Sequence, residues 1–380
     1  MFKSASSRLG RGPTIVKRWD LFCKVVDNYG DAGVCWRLAR QLAAEHALTV
    51  TLWIDELASL ARLAPGLAIA RDDQQVAGVR VRRLTDTPTD FVLPDAVIEG
   101  FGCGLPARYL EAMAAAARAP VWINLEYLSA EPWVDTVHGL ASPQPQLPLS
   151  RHFWFPGFTP RTGGLIRESG LLAARDAAAE ERRGSGLAIL LFCYANRALP
   201  ALFDTWSEGD EPICCTVPEG VATAALDQWL AGAVPHAGQS HTHGRLRIDI
   251  VRFVPQQAFD ALLWRSDVNF VRGEDSFVRA QWAARAFVWQ PYPQDENAHR
   301  LKLDAFVARY AADLPRAPRS AFVAFSDAFN AEDGRAAAAA WPAFRAAIVE
   351  LEAHGRRWSD ALTKLPELTA GLVRVARGRL

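Results

Sequence analysis

Two aspartates, Asp27 and Asp31, enclose a short turn in the sequence VVDNYGDAGVCWRLARQL, which begins at residue 25. A loop between a strand and a helix often holds a phosphate, but a pair of carboxylates at that place would repel a pyrophosphate. Carboxylates would instead attract a cation or accept a proton from a substrate. One aspartate can cap the following helix, an effect of about 1 kcal/mol, but a single cap does not need two. The spacing therefore predicts a functional role for a carboxylate here.

A second motif, NFVRGEDSFVRAQWA, ends a predicted strand and opens a helix. Backbone N–H groups at the start of a helix bind anions. After the turn made by Arg272 and Gly273, Ser276 could bond a phosphate oxygen whose charge Arg272 neutralises. Glu274 could accept hydrogen bonds from a sugar hydroxyl or a base edge. Acids in a first helical turn are also favoured by the helix dipole alone, so a structural role for Glu274 and Asp275 stays open.

Aromatic and amide side chains follow other predicted strands. In VRFVPQQAFDALLW, Phe253 ends a strand, and Gln256 and Phe259 on the next helix would lie at the same carboxyl end of the sheet. A phenylalanine can stack on a base whose edge a glutamine reads, although core packing explains Phe259 equally well. Tyr194 also comes directly after a strand. The polar residues beyond the strand at 286–290 could bind sugar hydroxyls or form a solvated turn: Gln294, Asp295, Asn297 and His299.

The sequence lacks the motifs of several enzyme classes. It has neither the GxGxxG fingerprint nor a P-loop, which argues against nicotinamide or flavin enzymes and ATPases. His241 and His243 have no acidic or cysteine neighbour, and the six cysteines include no CxxC pair, so we expect reduced thiols and no metal or cofactor. The net charge of zero and the lack of a ~20-residue apolar run predict a cytoplasmic protein without nucleic-acid or membrane partners.

Two series of alternating strands and helices predict an α/β protein with two parallel sheets. In the first series, strands are expected at 19–26, 48–54, 79–84, 95–102 and 120–128. Helices are expected at 31–45 and 106–119, and a short helix that ends at Leu63 is expected after the second strand. In the second, strands are expected at 187–193, 212–217, 246–252, 267–271 and 286–290, and helices at 197–206, 221–231, 256–265, 274–285, 295–311, 335–353 and 359–376.

The stretch 141–165 is dense in proline and glycine, which excludes a regular helix, and it is expected to be the boundary between two Rossmann-like domains. Ligands would bind in the cleft where the carboxyl ends of the two sheets meet. The predicted division of the chain is a disordered basic extension at 1–18, domains at 19–160 and 161–355, and a C-terminal helix at 356–380 that packs back on the first domain.

With these motifs, the chain resembles the EarP family of protein-arginine rhamnosyltransferases, which modify bacterial elongation factor P. The likeness spans residues 22–306 and is carried by the runs FCKVVDNYGDAGVCWRLARQLA, WINLEYLSAEPWV, FVPQQAFD, NFVRGEDSFVRAQWA and QPYPQDENAHRLKLDAF. The resemblance implies an inverting glycosyltransferase of the GT-B type. It also implies dTDP-β-L-rhamnose as the donor, an arginine of elongation factor P as the acceptor, and no metal. The first domain would bind the acceptor and the second the nucleotide sugar.

The resemblance also implies roles for individual residues. Asp27 and Asp31 match the family's two cleft aspartates, and Glu274 matches its essential glutamate. We expect Asp31 to be the general base and Asp27 to orient the guanidinium. The expected donor-binding residues are Tyr194, Phe253, Gln256, Phe259, Arg272, Gly273, Asp275 and Ser276. Further sugar contacts are expected from Asn28, Tyr29, Gly30, Gln294, Asp295 and Asn297.

Two other functions fit the same residues. One is a glycosyltransferase with a small-molecule acceptor, and the other is a module that binds a nucleotide sugar or a translation factor without turnover.

Overall fold

The computed structural model of the chain describes residues 17–27, 29–179, 186–232, 236–294 and 297–379. Within these residues there are two sheets, one of eight strands and one of six, with helices packed on them. The prediction of an α/β protein with two Rossmann-like halves is confirmed. Nearly all of the predicted basic extension lies outside the described residues.

The first half forms the eight-stranded sheet, in the order β3-β4-β2-β1-β5-β6-β8-β7. Its strands are β1 (Arg18–Cys23), β2 (Thr49–Ile54), β3 (Asp73–Val76), β4 (Val79–Arg83), β5 (Ala96–Gly100), β6 (Val121–Leu125), β7 (Ala141–Pro143) and β8 (Ser150–Trp154). Its helices are α1 (Gly30–His46), α2 (Leu57–Leu63), α3 (Ala107–Ala115) and α4 (Val134–Val137). The strands are parallel except for the edge pairs β3/β4 and β7/β8.

The second half forms the six-stranded sheet, in the order β11-β12-β10-β9-β13-β14. Its strands are β9 (Leu187–Leu191), β10 (Ile213–Pro218), β11 (Ser240–His243), β12 (Leu246–Val251), β13 (Val268–Arg272) and β14 (Ala286–Gln290). Its helices are α5 (Leu171–Ala179), α6 (Leu199–Glu208), α7 (Thr223–Trp229), α8 (Gln256–Arg265), α9 (Asp275–Ala283) and α10 (Ala298–Tyr310).

The central strands are covered by helices on both faces, which is why their sequences are mostly apolar and do not alternate between apolar and polar residues. Every residue of β5 and of β6 is buried, and in β1 only the first residue is exposed. The strand β1 pairs in parallel with β2 and β5, and β9 pairs in parallel with β10 and β13. Each sheet therefore presents the carboxyl ends of its central strands at one edge, and the loops that leave those ends form the site.

Four helices follow the second sheet: α11 (Arg316–Asn330), α12 (Gly334–Ala346), α13 (Ile348–Leu362) and α14 (Leu368–Arg379). The last of them returns to the first half. His46 Nε2 at the end of α1 lies 2.8 Å from Thr369 Oγ1 on α14, and Leu165 forms a β-bridge with Glu367. The predicted division of the chain into domains remains a prediction.

Some elements were not predicted. As expected, the stretch 141–165 forms no helix, but β7 and β8 lie in it and extend the first sheet. Helix α11, which begins after Pro315 and contains Pro318, was not predicted. Both prolines are compatible with a helix, because one precedes it and the other lies in its first turn, where no intrahelical N–H bond is needed. The single predicted region 335–353 is divided between α12 and α13.

Candidate active site

A cavity of about 570 Å³ lies where the carboxyl ends of β1 and β13 face each other. Asp27 and Asp31, which follow β1, line it from the first half, and Gly273 and Glu274, which follow β13, line it from the second half. This volume is in the range of ordinary small-ligand sites, roughly 300–1,000 Å³. The fold thus brings together two sequence motifs that are more than two hundred residues apart.

Asp31 is buried in the first turn of α1 and is held by the loop that precedes it. Its Oδ2 accepts hydrogen bonds from the backbone N–H groups of Val26 (2.8 Å) and Asp27 (2.9 Å). Its Oδ1 accepts one from the hydroxyl of Tyr127 at 3.1 Å. The Tyr127 ring stacks on Phe101 with centroids 4.3 Å apart. Two backbone N–H groups therefore fix the carboxylate through Oδ2, and the Tyr127 hydroxyl contacts Oδ1.

Asp27 is also buried, and its Oδ2 accepts a 2.5 Å hydrogen bond from the hydroxyl of Tyr194 in the second half. Two glycines make room for this oxygen. A Cβ at Gly30 would lie 2.2 Å from it, and one at Gly273 would lie 2.9 Å from it. Gly273 has φ +59°, a conformation that favours glycine in any case. Burial raises the pKa of Asp27, the Tyr194 hydrogen bond opposes that rise, and the charge of Asp31 adds to it.

Glu274 connects the two halves directly. It precedes α9, and its Oε2 accepts a 2.9 Å hydrogen bond from the backbone N–H of Leu128, which follows β6 of the first sheet. Burial raises the pKa of Glu274 to about 8, against the opposing effects of this hydrogen bond and of the Lys302 charge. At neutral pH this carboxyl group is largely protonated, so it can donate a hydrogen bond.

A second, smaller cavity of about 50 Å³ adjoins Asp27 on the side of the second sheet. Its lining includes most of the residues predicted to bind the donor: Tyr194, Phe253, Gln256, Phe259, Arg272, Asp275 and Ser276. The half-buried rings of Tyr29 and Phe253 both line it, with their centroids 5.2 Å apart.

Arg272 lies at the base of this smaller cavity. Its guanidinium is 4.7 Å from the ring centroid of Phe192 and 4.8 Å from that of Tyr194, and it donates a 3.2 Å hydrogen bond to the Cys193 carbonyl. The hydroxyl of Ser276 donates to the Arg272 carbonyl and accepts from the Arg272 N–H. The serine therefore fixes the turn between β13 and α9, and the charge of Arg272 lies among aromatic rings.

The residues predicted to contact the sugar divide into three groups. Tyr29 and Gly30 line the smaller cavity, and the exposed Gln294 lines the larger one. Asn297 precedes α10 with φ +58° and is not part of either lining. Asn28 and Asp295 lie outside the described residues.

Sequence reasoning assigned no role to three groups that the structure places at the larger cavity. These are the Tyr127 hydroxyl, the Leu128 N–H and Lys302, whose Nζ lies 5.0 Å from the Tyr127 ring centroid. The signal for Tyr127 was present, because it lies at the carboxyl end of the predicted strand at 120–128 and so belongs to the same sheet edge as Asp27. Lys302 lies in the middle of α10 and not after a strand, so only the packing of that helix brings it to the cleft.

Within the described residues, no group of three or more His, Cys, Asp or Glu side chains could hold a metal ion. In the same part of the chain, no helix is long and apolar enough to cross a membrane.

The chain is similar to known proteins over nearly its whole length. The family model described as elongation factor P (EF-P) rhamnosyltransferase EarP matches residues 19–377. A protein-arginine rhamnosyltransferase of Pseudomonas putida is 45% identical over 376 residues, which cover 95% of this chain and 99% of that protein. A solved structure described as the structural basis for EarP-mediated arginine glycosylation of translation elongation factor EF-P is 34% identical. It has a TM-score of 0.66 and covers 96% of this chain and 99% of that one. The crystal structure of Acinetobacter baumannii MurG, 13% identical with a TM-score of 0.52, covers 95% of this chain and 99% of its own, and shares the fold.

Proposed function

The chain belongs to the EarP family of glycosyltransferases, and we propose that it transfers L-rhamnose from dTDP-β-L-rhamnose to an arginine side chain of elongation factor P. The observation that carries the proposal is the meeting of Asp27, Asp31 and Glu274 at one cavity between two sheets. The GT-B fold supplies the two halves, one for each substrate. Similarity to the named relatives supports the choice of sugar and acceptor.

The acceptor side of the proposal explains why two carboxylates lie where a phosphate loop is common. A guanidinium is planar and cationic, with a pKa above ~12, and its delocalised lone pair makes it a poor nucleophile. Asp27 and Asp31 can hold it by charge-assisted hydrogen bonds and localise its charge. Asp31 is held at Oδ2 by two backbone N–H groups, and its Oδ1, which accepts from the Tyr127 hydroxyl, has a second lone pair for the substrate. We assign the general base to Asp31 and the orientation of the guanidinium to Asp27.

The donor side lies on the second sheet. The turn from Arg272 to Ser276 and the first N–H groups of α9 form an anion site for the diphosphate. The cation of Arg272 supplies charge there without a metal. Glu274, with a pKa of about 8, can donate a hydrogen bond to a sugar hydroxyl or phosphate oxygen at neutral pH, and it adds little negative charge beside the diphosphate.

The reaction is a single displacement. The arginine nitrogen attacks C1 of the sugar on the face opposite the diphosphate, so the configuration at C1 inverts. The C1–N bond forms while the C1–O bond breaks, and the electron pair of that bond leaves with dTDP. The proton released by the nitrogen passes to Asp31. No covalent enzyme intermediate is needed.

The test is incubation of the protein with dTDP-β-L-rhamnose and elongation factor P, followed by intact mass measurement and fragmentation of the product. We expect elongation factor P to gain one deoxyhexose on one arginine, with or without EDTA. No mass gain would overturn the protein acceptor. Loss of transfer in EDTA that magnesium or manganese restores would overturn the metal-free mechanism. Slow hydrolysis of the donor by the protein alone would separate an enzyme from a binding module.

A further inference from the structure

The amide of Gln256 has an unusual hydrogen-bonding pattern. The side chain is 3% exposed and lines the smaller cavity. Its Nε2 donates to the Gly33 carbonyl at 2.7 Å and to Oδ2 of Asp275 at 2.8 Å. Its Oε1 is buried and has no hydrogen-bond partner. A buried acceptor without a partner is unfavourable, so it is a group for which a ligand can supply the missing donor.

The two partners of Nε2 determine which way the amide faces. A backbone carbonyl and an ionised carboxylate can only accept hydrogen bonds. If the amide turned over, Oε1 would face both of these acceptors and two hydrogen bonds would be lost. Gln256 lines the smaller cavity with its amide held in this orientation, so toward a ligand there its Oε1 can act only as an acceptor and cannot be exchanged for a donor.

Asp275 is kept ionised by two buried arginines. Nε of Arg279 lies 3.0 Å from its Oδ2, and Nη1 of Arg37 on α1 lies 3.2 Å from its Oδ1. Although burial opposes ionisation, these two charges hold the pKa of Asp275 below its ordinary value. Each arginine has a further carboxylate partner, Glu168 for Arg37 at 2.7 Å and Asp260 for Arg279 at 2.7 Å. Asp275 is thus a fixed acceptor next to Gln256 and is saturated by protein groups.

We propose that Asp275 is a positioning residue for nucleobase selection: by fixing Gln256 with Oε1 as an acceptor, it makes the donor site select bases that carry an N–H at the centre of the pairing edge. Thymine and uracil have such an imide N–H at N3. Cytosine has an acceptor at N3, which would face Oε1 without a hydrogen bond. This inference rests on the nucleotide-sugar site of the proposed function and reassigns Asp275 from direct donor contact to action through Gln256.

The test compares the affinities of dTDP and dCDP by calorimetry, because these nucleotides share the sugar and the diphosphate. For the wild-type protein we expect at least about tenfold tighter binding of dTDP, which corresponds to about 1.4 kcal/mol. In Asp275→Asn, the amide at 275 can donate as well as accept, so only the Gly33 carbonyl still favours the wild-type orientation of the Gln256 amide and the turned-over orientation becomes accessible. The ratio of the two affinities should then fall below about threefold. Gln256→Met, which removes the acceptor, should lower the ratio in the same way.

If Asp275 had only a structural role, Asp275→Asn would weaken the binding of both nucleotides equally and leave the ratio of their affinities unchanged. That result would overturn the inference. Equal affinities in the wild-type protein would overturn it as well. If the wild-type protein binds neither nucleotide, the donor of the proposed function is refuted and this inference falls with it. If Asp275→Asn does not fold, the charge-balanced double variant Arg37→Gln with Asp275→Asn is measured against the same criterion.

Discussion

Substitution of Gly30 by alanine displaces the side chain of Asp27 without adding or removing a charge. An ideal Cβ at Gly30 would lie 2.2 Å from Oδ2 of Asp27, and real Cβ contacts essentially never fall below 3.0 Å. The carboxylate oxygen must therefore move by about 0.8 Å, which is the difference between these two distances. That displacement breaks or lengthens the 2.5 Å hydrogen bond from Tyr194. A misplacement of about 1 Å in a reacting group can cost ~10²-fold in rate.

We therefore expect Gly30→Ala to lower kcat/KM for transfer to elongation factor P by about a hundredfold. Thermal stability should change little, because alanine favours the first turn of α1 by up to about 1 kcal/mol and offsets part of the strain. The assay is product formation followed by mass spectrometry, with thermal unfolding alongside. Gly378→Ala is the matched control, since Gly378 is a helical glycine whose added Cβ would meet open space. Activity of Gly30→Ala within threefold of wild type would refute the proposed position of Asp27 in the reaction.

The remaining predictions concern protonation, donor binding and acceptor choice. Burial raises the pKa of Glu274 from 4.5 to about 8. The contribution of this carboxyl group to the free energy of unfolding is therefore fully present below pH 4.5 and is lost as the pH rises to about 8. The free energy of unfolding of the wild type minus that of Glu274→Gln should fall across this window, and a flat difference would contradict the shift. Phe253→Ala should lower the affinity for dTDP at least about tenfold, measured by calorimetry, because the base loses a stacking contact. Unchanged affinity would show that the nucleotide binds elsewhere. Intact elongation factor P or its isolated first domain should react at least about a hundredfold better in kcat/KM than a linear peptide with the same arginine, roughly 2.7 kcal/mol of transition-state stabilisation, because we expect the loops at 55–105 to supply a docking surface. Equal modification of both in a competition assay would favour a small acceptor.

The sequence was most informative where one physical cause determines the structure. Strands such as β5 and β6 are buried throughout and mostly apolar, with Glu99 and Asn124 as the exceptions, because both of their faces are covered, and that pattern is local. The starts of α1 and α9 were also predictable, since glycine, acids and a preceding strand mark them. Short antiparallel edge strands such as β7 and β11 lack such a pattern. Their formation depends on a neighbouring strand that the local sequence does not specify.

For the site, the sequence identified side chains but not their partners. Asp27, Asp31 and Glu274 were selected from their spacing and position after strands. The hydrogen bond from Leu128 to Glu274 could not be predicted, because it joins backbone and side chain from different sheets. The same holds for Asp275, which the sequence suggested as a direct donor contact. The structure surrounds it with Arg37, Arg279 and Gln256, and this network depends on how α1 packs against α8 and α9.

The most direct test of the account is the transfer rate of Asp31→Asn at saturating donor, measured together with its affinity for dTDP. Asparagine keeps the size and can keep the hydrogen bonds from the loop N–H groups, but it cannot take the proton from the arginine. The account predicts a loss of at least ~10²-fold in rate, with dTDP affinity within a few-fold of wild type. A variant that retains more than about a tenth of the wild-type rate would contradict the assignment of Asp31 as the base.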